Sequence, residues 1–417
     1  MRENYKRLGD YIQAVNIRNK DLQVKKLLGV SIQKILMPSI ANTVGTNMKT
    51  YKTIKRNQFA YGPVTSRNGN KISIALLQEF EEAIISQAYT VFEIIDVEKL
   101  NPEYLMMWFR RPEFDRYARY KSHGSARETF DWDEMCEVEL PIPSIEKQNA
   151  IVKEYNTVVN RIKLNEQLNQ KLEETAQAIY KHWFVDFNFP YDFAHGKPNE
   201  ENSSLSGAEG YKSSGGKMVW NEVLGKEIPE GWRDGVLRDI AQYSANRVEL
   251  YKLTKLTYVS TENMLQDKKG ITVANSLPNT KNVTKFNKGD ILISNIRPYF
   301  KKIWLAEFEG GCSNDILCLN VIEMIPSIFV YSILEQDIFF DYVMKGAKGT
   351  KMPRGDKEWI MNYKVNIPHD SILAQFDNYI KHIYSLVSNR KKENISLRAL
   401  SELLLSKMIN YDLQNHD

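Results

Sequence analysis

Two long stretches of the chain place apolar residues at alternating steps of four and three. In the first, Ile151, Tyr155, Val158, Ile162, Asn165, Asn169, Leu172, Ala176, Ile179 and Trp183 follow that rhythm, which is the spacing of a coiled-coil seam. In the second, Phe376, Ile380, Ile383, Val387, Arg390, Asn394, Leu397 and Leu404 occupy corresponding places. Both seams turn polar at the same level. Each stretch follows a proline-marked loop, with Ser144 after Pro143 and Asp370 or Ser371 after Pro368 as the expected N-caps. Neither helix can leave its stripe in water, so mutual packing is the simplest expectation, with the polar seam residues fixing register. The alternative is that each helix packs only on its own globule.

Ahead of each helix the period shortens. β-like runs at Lys71–Leu77, Tyr89–Ile95, Asp290–Ser294 and Lys302–Phe308 alternate with helical segments near 100–119 and 327–344. The two halves also resemble each other. Residues 102–180 lie over 327–405 without a gap at a shift of 225, pairing Tyr104 with Phe329, Phe114 with Phe339, Gly124 with Gly349, Asp131 with Asp356 and Pro143 with Pro368. Nearer the start of each half, Arg7-Leu8-Gly9-Asp10 lies over Val236-Leu237-Arg238-Asp239, and Arg18 over Arg247. The residues in between match poorly, so a duplicated frame carries two divergent inserts. The class expected is α+β, each half being an α/β globule closed by a long helix.

Between the halves, Asn188–Trp232 is rich in Gly, Ser and charge, including Asn199–Ser204 and Ser213–Lys217, and reads as a linker. With 417 residues the chain is too long for one comfortable core. Three cysteines, Cys136, Cys312 and Cys318, suit a reducing compartment and read as ordinary buried thiols. No apolar run approaches membrane-spanning length, so a soluble, cytoplasmic protein is expected. A net charge of +4 permits nucleic-acid binding without demanding it.

Catalytic motifs are absent from the sequence. Asn188-Phe189-Pro190-Tyr191 resembles an amino-group-binding methyltransferase loop only superficially, and reads as a helix terminator. Gly215-Gly216-Lys217-Met218 lacks the spacing and the hydroxyl of a phosphate-binding loop. Six histidines are scattered without a motif, and no nucleophile pattern accompanies them. No metal site is expected.

The inserts instead carry cations, amides and aromatics suited to phosphate and base contacts. The first holds Lys49, Lys52, Lys55, Arg56, Arg67, Asn68 and Lys71; the second holds Lys281, Lys285, Asn295, Arg297, Tyr299, Lys301 and Lys302. For any one of them a solvated surface charge is the alternative. The aligned loops Gly124-Ser125-Ala126-Arg127 and Gly349-Thr350-Lys351 pair a glycine with a hydroxyl and a cation, either to let backbone amides approach phosphate or as a plain turn. Arg127, Lys351 and Arg354 are the cations to test there. Tyr180, Trp183, Phe184 and Phe187 end the first helix, for packing or for docking a partner. Two similar readers joined by a rigid spacer suit a DNA site in two parts. Roughly 25 to 40 paired helical residues span roughly 40 to 60 Å, against roughly 34 Å for one DNA turn.

Leu140-Pro141-Ile142-Pro143-Ser144-Ile145-Glu146-Lys147-Gln148-Asn149-Ala150-Ile151 resembles the start of the first conserved helix in type I restriction-modification specificity subunits, and Trp183-Phe184-Val185-Asp186-Phe187 its end. Glu227-Ile228-Pro229-Glu230-Gly231-Trp232 and Glu393-Asn394 with Leu397 and Leu403–Leu405 are similar to later segments of that family. Pro368-His369-Asp370-Ser371-Ile372 departs from it, lacking the Glu-x-Gln signature. The resemblance implies target-recognition domains at 1–143 and 233–368, and antiparallel conserved helices at 144–187 and 369–410 with the linker 188–232 between, in a pseudo-twofold repeat. It also implies a non-catalytic subunit that reads double-stranded DNA and directs two modification subunits and restriction subunits, without a membrane. No cofactor is then expected here, S-adenosylmethionine and ATP with magnesium being held by the partners. The rival readings are a self-contained enzyme with unrecognised motifs and a coiled-coil scaffold without DNA specificity.

Overall fold

A computed structural model describes residues 5–39, 45–66, 68–124, 127–188 and 218–408. The chain forms two compact units, Met1–Asn165 with Lys392–Asp417 and Glu166–Lys391. Each unit is a sheet-rich globule plus a segment of both long helices, Ile145–Tyr180 and Asp370–Lys407.

The first unit has two four-stranded sheets. One runs Ile12–Val15, Thr90–Ile94, Phe59–Tyr61, Ile74–Leu76, all antiparallel. The other runs Leu36–Pro38, Leu27–Val30, Glu82–Ile85, Lys52–Lys55, with a parallel pair at its centre. A short ladder joins Tyr5–Arg7 to Glu139–Pro141. The second unit repeats this plan. Its sheets run Ala241–Tyr243, Ile316–Val321, Ile291–Ser294, Ile303–Leu305 and Arg247–Glu249, Asn282–Phe286, Gly310–Cys312, Tyr258–Val259, and Arg233–Val236 pairs with Lys364–Ile367. Helices Pro102–Arg110, Pro112–Lys121 and Trp132–Cys136 reappear as Ser327–Leu334, Asp337–Lys345 and Lys357–Met361, each starting at the shift of 225 read from the sequence. Arg18 bridges Lys52 where Arg247 pairs with Thr284, so that alignment is geometric too.

The long helices are antiparallel and cover each other's stripes within each unit. In the first, Ile151, Tyr155 and Val158 share a core with Leu404, Leu405 and Met408. In the second, Tyr180, Trp183 and Phe184 share one with Ile372, Phe376 and Ile380. Part of the shared polar step lies in the first unit: Asn165 Nδ2 donates to Asn394 Oδ1 at 2.9 Å in a buried layer, and to Glu393 at 3.0 Å. Arg161 reaches the same Glu393 from solvent at 2.8 Å.

Gln148 anchors the start of the first helix. Wholly buried, it donates to Lys99 O at 2.9 Å and Pro143 O at 2.8 Å, and accepts from the Asn101 N–H at 2.8 Å. The residue in its place in the second unit, Leu373, lies in the apolar core. There the N-cap is His369 rather than Asp370 or Ser371: its carbonyl accepts from Ile372 at 3.0 Å and its Nδ1 lies 3.4 Å from the Ser371 N–H. The histidine turns back on its own first turn, which leaves Asp370 and Ser371 inside the helix.

Two other expectations are corrected. The last part of the stretch read as linker is a hairpin, Met218–Asn221 with Lys226–Pro229, whose Ile228, with Trp232 beyond it, enters the second core. Asn199–Ser204, Ser213–Lys217 and Phe189–Tyr191 lie outside the described residues, and the first helix closes in a π-helical turn, Lys181–Val185. Cys136 is half-buried, unlike Cys312 and Cys318.

In the second unit Glu335, just after helix Ser327–Leu334, lies among Gln177, which donates to it, Tyr331 and Tyr384, with Lys268, Glu173 and Lys391 in its field. Burial pushes its pKa from the ordinary 4.5 up to about 7 against the pull of Lys268. Between those values the unfolded chain is ionised while the folded chain keeps its proton, so stability falls as pH rises through the window.

Two outcomes follow. Glu335→Gln should flatten this dependence, leaving the second unit more stable than the unaltered chain by roughly 2–3 kcal/mol at pH 8 and equal to it near pH 4; denaturant melts across that range test it, and parallel pH profiles would contradict it. Asn394→Leu should cost the first unit about 1–3 kcal/mol by removing the buried acceptor of Asn165 and leaving Glu393 to it, and Asn165→Leu in addition should recover much of that loss; additive costs in a double-mutant cycle would show that the layer is not coupled.

Candidate nucleic-acid interface

Each globule contains a three-segment junction of its own, and several candidate cations lie near it. In the first unit the chain at Pro63–Thr65 meets 128–130, which folds back on His123: Phe130 N–H donates to Pro63 O at 2.8 Å, Thr65 N–H to Glu128 O at 2.9 Å, and His123 and Thr129 exchange bonds of 3.1 and 2.9 Å. The second unit repeats it bond for bond. Gly355 N–H donates to Asn295 O at 3.2 Å, Arg297 N–H to Pro353 O at 2.8 Å, and Lys348 and Arg354 exchange bonds of 2.8 and 2.9 Å. Gly124 and Gly349 turn the two loops at φ 127° and 94°, which L side chains rarely adopt.

In the second unit Arg297, Tyr299, Lys351 and Arg354 all belong to the segments of this junction or lie within a few residues of it. Lys351 and Tyr299 are exposed. Arg354 pairs with Asp315 at 3.1 Å. Lys301 and Lys302 are anchored inward instead. Lys301 pairs with Asp337 at 3.1 Å, beside Lys268 on the same carboxylate at 2.6 Å, and these two ammonium groups hold Asp337 below the usual carboxylate range. Lys302 Nζ donates to Thr261 O at 2.6 Å, and burial lowers its pKa.

In the first unit Lys71 closes the 65–71 loop, its N–H donating to Asn68 O at 3.3 Å, and its side chain is exposed, as is Arg127. Arg67, Ser125 and Ala126 lie outside the described residues. Lys52, Lys55 and Arg56 sit on and just after an edge strand of the other sheet. Lys55 is exposed. Lys52 Nζ donates to Tyr89 O at 2.7 Å, and burial, with Arg18 nearby, lowers its pKa. Arg56 pairs with Glu81 at 2.8 Å and donates to Gln78 O. An exposed pair of this kind is weak enough for a phosphate to compete with it.

The aromatic end of the first helix is core. Tyr180, Trp183, Phe184 and Phe187 are all buried, with Phe184 4.9 Å from both Phe329 and Phe376, and Phe187 5.5 Å from Trp232. Their rings are enclosed by the second unit itself and are not offered to a partner.

Sequence reading passed over several residues that shape these surfaces. Lys34 and Asp115 form a buried pair at 2.9 Å, Asp115 also accepting from the Ile72 N–H at 3.1 Å; burial depresses the Lys34 ammonium despite its partner. Ser313 and Asp315 stand beside Asn295, whose N–H donates to Asp315 O at 2.8 Å. Their one signal was the polar run Ser313-Asn314-Asp315 between apolar strands, which marks a turn but not its neighbours. Among the described residues no three His, Cys, Asp or Glu come together to hold a metal, and no helix is long and apolar enough to cross a membrane.

The family model for the type I restriction modification DNA specificity domain matches residues 4–174. The type I restriction enzyme MjaIX specificity subunit of Methanocaldococcus jannaschii is 24% identical over 336 residues, 77% of this chain and 71% of that protein. The HindI specificity subunit of Haemophilus influenzae is 27% identical over 157 residues, 37% of this chain and 34% of its own length. The crystal structure of the type I restriction-modification S subunit from M. genitalium superposes at TM-score 0.53 with 14% identity, covering 97% of this chain and 95% of the other, a likeness of fold.

The junction glycines differ in what a side chain would meet. A Cβ at Gly124 would lie 2.3 Å from Arg127 O, and one at Gly349 3.4 Å from Met352 O. Gly124→Ala should therefore destabilise the first unit by roughly 1–3 kcal/mol, and more than Gly349→Ala destabilises the second. Thermal melts of the two variants check this order, and a reversed order would mean that the junction does not depend on these turns as described.

Proposed function

We propose that the chain belongs to the type I restriction-modification specificity subunits, and that its two units each read one half of a split DNA site for partner subunits that methylate adenine and cut. The observation that carries this is the junction, repeated bond for bond while the side chains on it differ. Thr65, Glu128 and Thr129 in the first unit stand where Arg297, Pro353 and Arg354 stand in the second. A constant backbone presenting different chemistry is what reading two different half-sites requires.

On this reading the chain has no active site of its own. Two modification subunits would hold the methyl donor S-adenosylmethionine and take adenine out of the stack, and restriction subunits would hold ATP with magnesium. Lys55, Lys71, Arg127 and Lys351, exposed, are suited to phosphate. Lys301 and Lys302 support their loop. The work would be done on cellular DNA in the cytoplasm, and a salt-dependent affinity of the assembled complex for DNA is part of the proposal. The scaffold alternative has no observation in its favour.

The test is methylation sequencing of the genome in cells with and without this chain, the modification subunits being left intact. Adenine methylation at a motif of two short blocks around a fixed gap should vanish with the chain. An unchanged map, with the modification subunits expressed and active, would overturn the proposal.

A further inference from the structure

One turn of the second unit is held in place around a side chain that no hydrogen bond or ion pair engages among the described residues. Leaving strand Ile291–Ser294, the chain puts Arg297 and Lys301, both at φ 50°, in the left-handed region. Long side chains adopt that conformation only where the surroundings impose it. Here Arg297 N–H donates to Pro353 O at 2.8 Å, Lys301 N–H to Pro298 O at 2.8 Å, and Asp267 and Lys268 donate to Phe300 O and Lys301 O at 3.0 Å each. Asp337 holds the Lys301 ammonium and Thr261 O holds that of Lys302. The backbone and both lysines are committed, whereas among the described residues no hydrogen bond or ion pair engages the Arg297 guanidinium.

Beside it the usual satisfaction of buried polar atoms fails. Arg297 Nε, Asn295 Oδ1 and Ser313 Oγ are all buried without a hydrogen-bond partner among the described residues. Strand pairing brings them to one end of a sheet, since Ser294 pairs with Ile316, Asn295 N–H reaches Asp315 O, and Ile316 N–H reaches Ser313 O at 3.0 Å. The Asn295 oxygen is packed against Gly355, beside Ile360 and Val343, so it is the half-buried Arg297, whose guanidinium extends beyond its buried Nε, that a ligand can meet. The Asp315 carboxylate at the same end, paired with Arg354 at 3.1 Å, can accept from the amine of cytosine.

We propose that the turn Asn295–Lys301 is the base-reading element of the second unit, with the Arg297 guanidinium hydrogen-bonding the acceptor edge of a guanine in the major groove. The proposal rests on the DNA-reading role above and adds which residue carries specificity in one half-site. The matching backbone position in the first unit is Thr65, whose hydroxyl already bonds Ser122 at 2.9 Å, so that unit reads with other groups.

The test uses the complex of this chain with its own modification subunits, and measures methylation of a DNA library randomised in both half-sites. Arg297→Asn keeps a residue that tolerates the left-handed backbone, and Arg297→Lys keeps the charge without the bidentate fork. Both should weaken preference for a G·C pair at one position of one half-site by about 5- to 100-fold, with the other half-site unaltered. Unchanged preferences at every position overturn the inference, as does a uniform loss of DNA binding with the motif intact, which would make Arg297 a phosphate contact. Failure of both variants to assemble overturns it too, by making Arg297 structural. If the unaltered complex methylates no split site, it is the wider reading that fails.

Discussion

A helix with an apolar stripe along its whole length has to cover that stripe, and here each long helix is covered in two places by two different cores. The helix Ile145–Tyr180 gives Ile151, Tyr155 and Val158 to one unit and Ala176 and Tyr180 to the other, while Asp370–Lys407 gives Phe376 and Ile380 to the second and Leu404 and Leu405 to the first. Neither globule can shift its helical segments without exposing large side chains. An apolar stripe alone tolerates sliding by a turn; the Asn165–Asn394 layer does not, because any other register strands two buried amides.

The frame built on this constraint leaves each unit free to vary elsewhere. Helices at the shift of 225 and the two ladders are common to both units, and so is the three-segment junction. The inserts differ where the frame does not need them: the first unit adds Leu36–Pro38 at the sheet edge beyond the parallel pair, and the second extends the opposite edge with Arg247–Glu249. Backbone hydrogen bonds, which do not depend on side-chain identity, hold the junction. Its side chains could therefore diverge without loss of fold.

Much of this was legible in the sequence because it is local or periodic. The seam positions, including its polar step, are buried or half-buried as their spacing requires, and the strands around Ile74, Thr90, Ile291 and Ile303 lie inside the runs that alternation marks. What could not be read depends on partners distant in sequence. Lys301 looks like any surface lysine until Asp337 is brought beside it, and Tyr180, Trp183, Phe184 and Phe187 look like an exposed aromatic end until Phe329, Phe376 and Trp232 enclose them. The missing Glu-x-Gln signature has the same origin. Gln148 staples three backbone groups in the first unit, and Leu373 replaces that bonding with burial in the second, so the two helix starts obey different local rules.

The cations divide accordingly by what they hold. With a net charge of only +4, the chain has little long-range pull on a polyanion, so attraction has to be local. Many of its cations are tied to its own acids or carbonyls: Arg56 to Glu81, Lys268 and Lys301 to Asp337, Arg354 to Asp315, Lys302 to Thr261 O. Such ties fix loop shape at the expense of free charge. A surface of this kind discriminates by geometry, because the groups left open on rigid loops meet only a ligand that already fits them, and the cost of a wrong ligand is an unsatisfied polar atom rather than a weaker field.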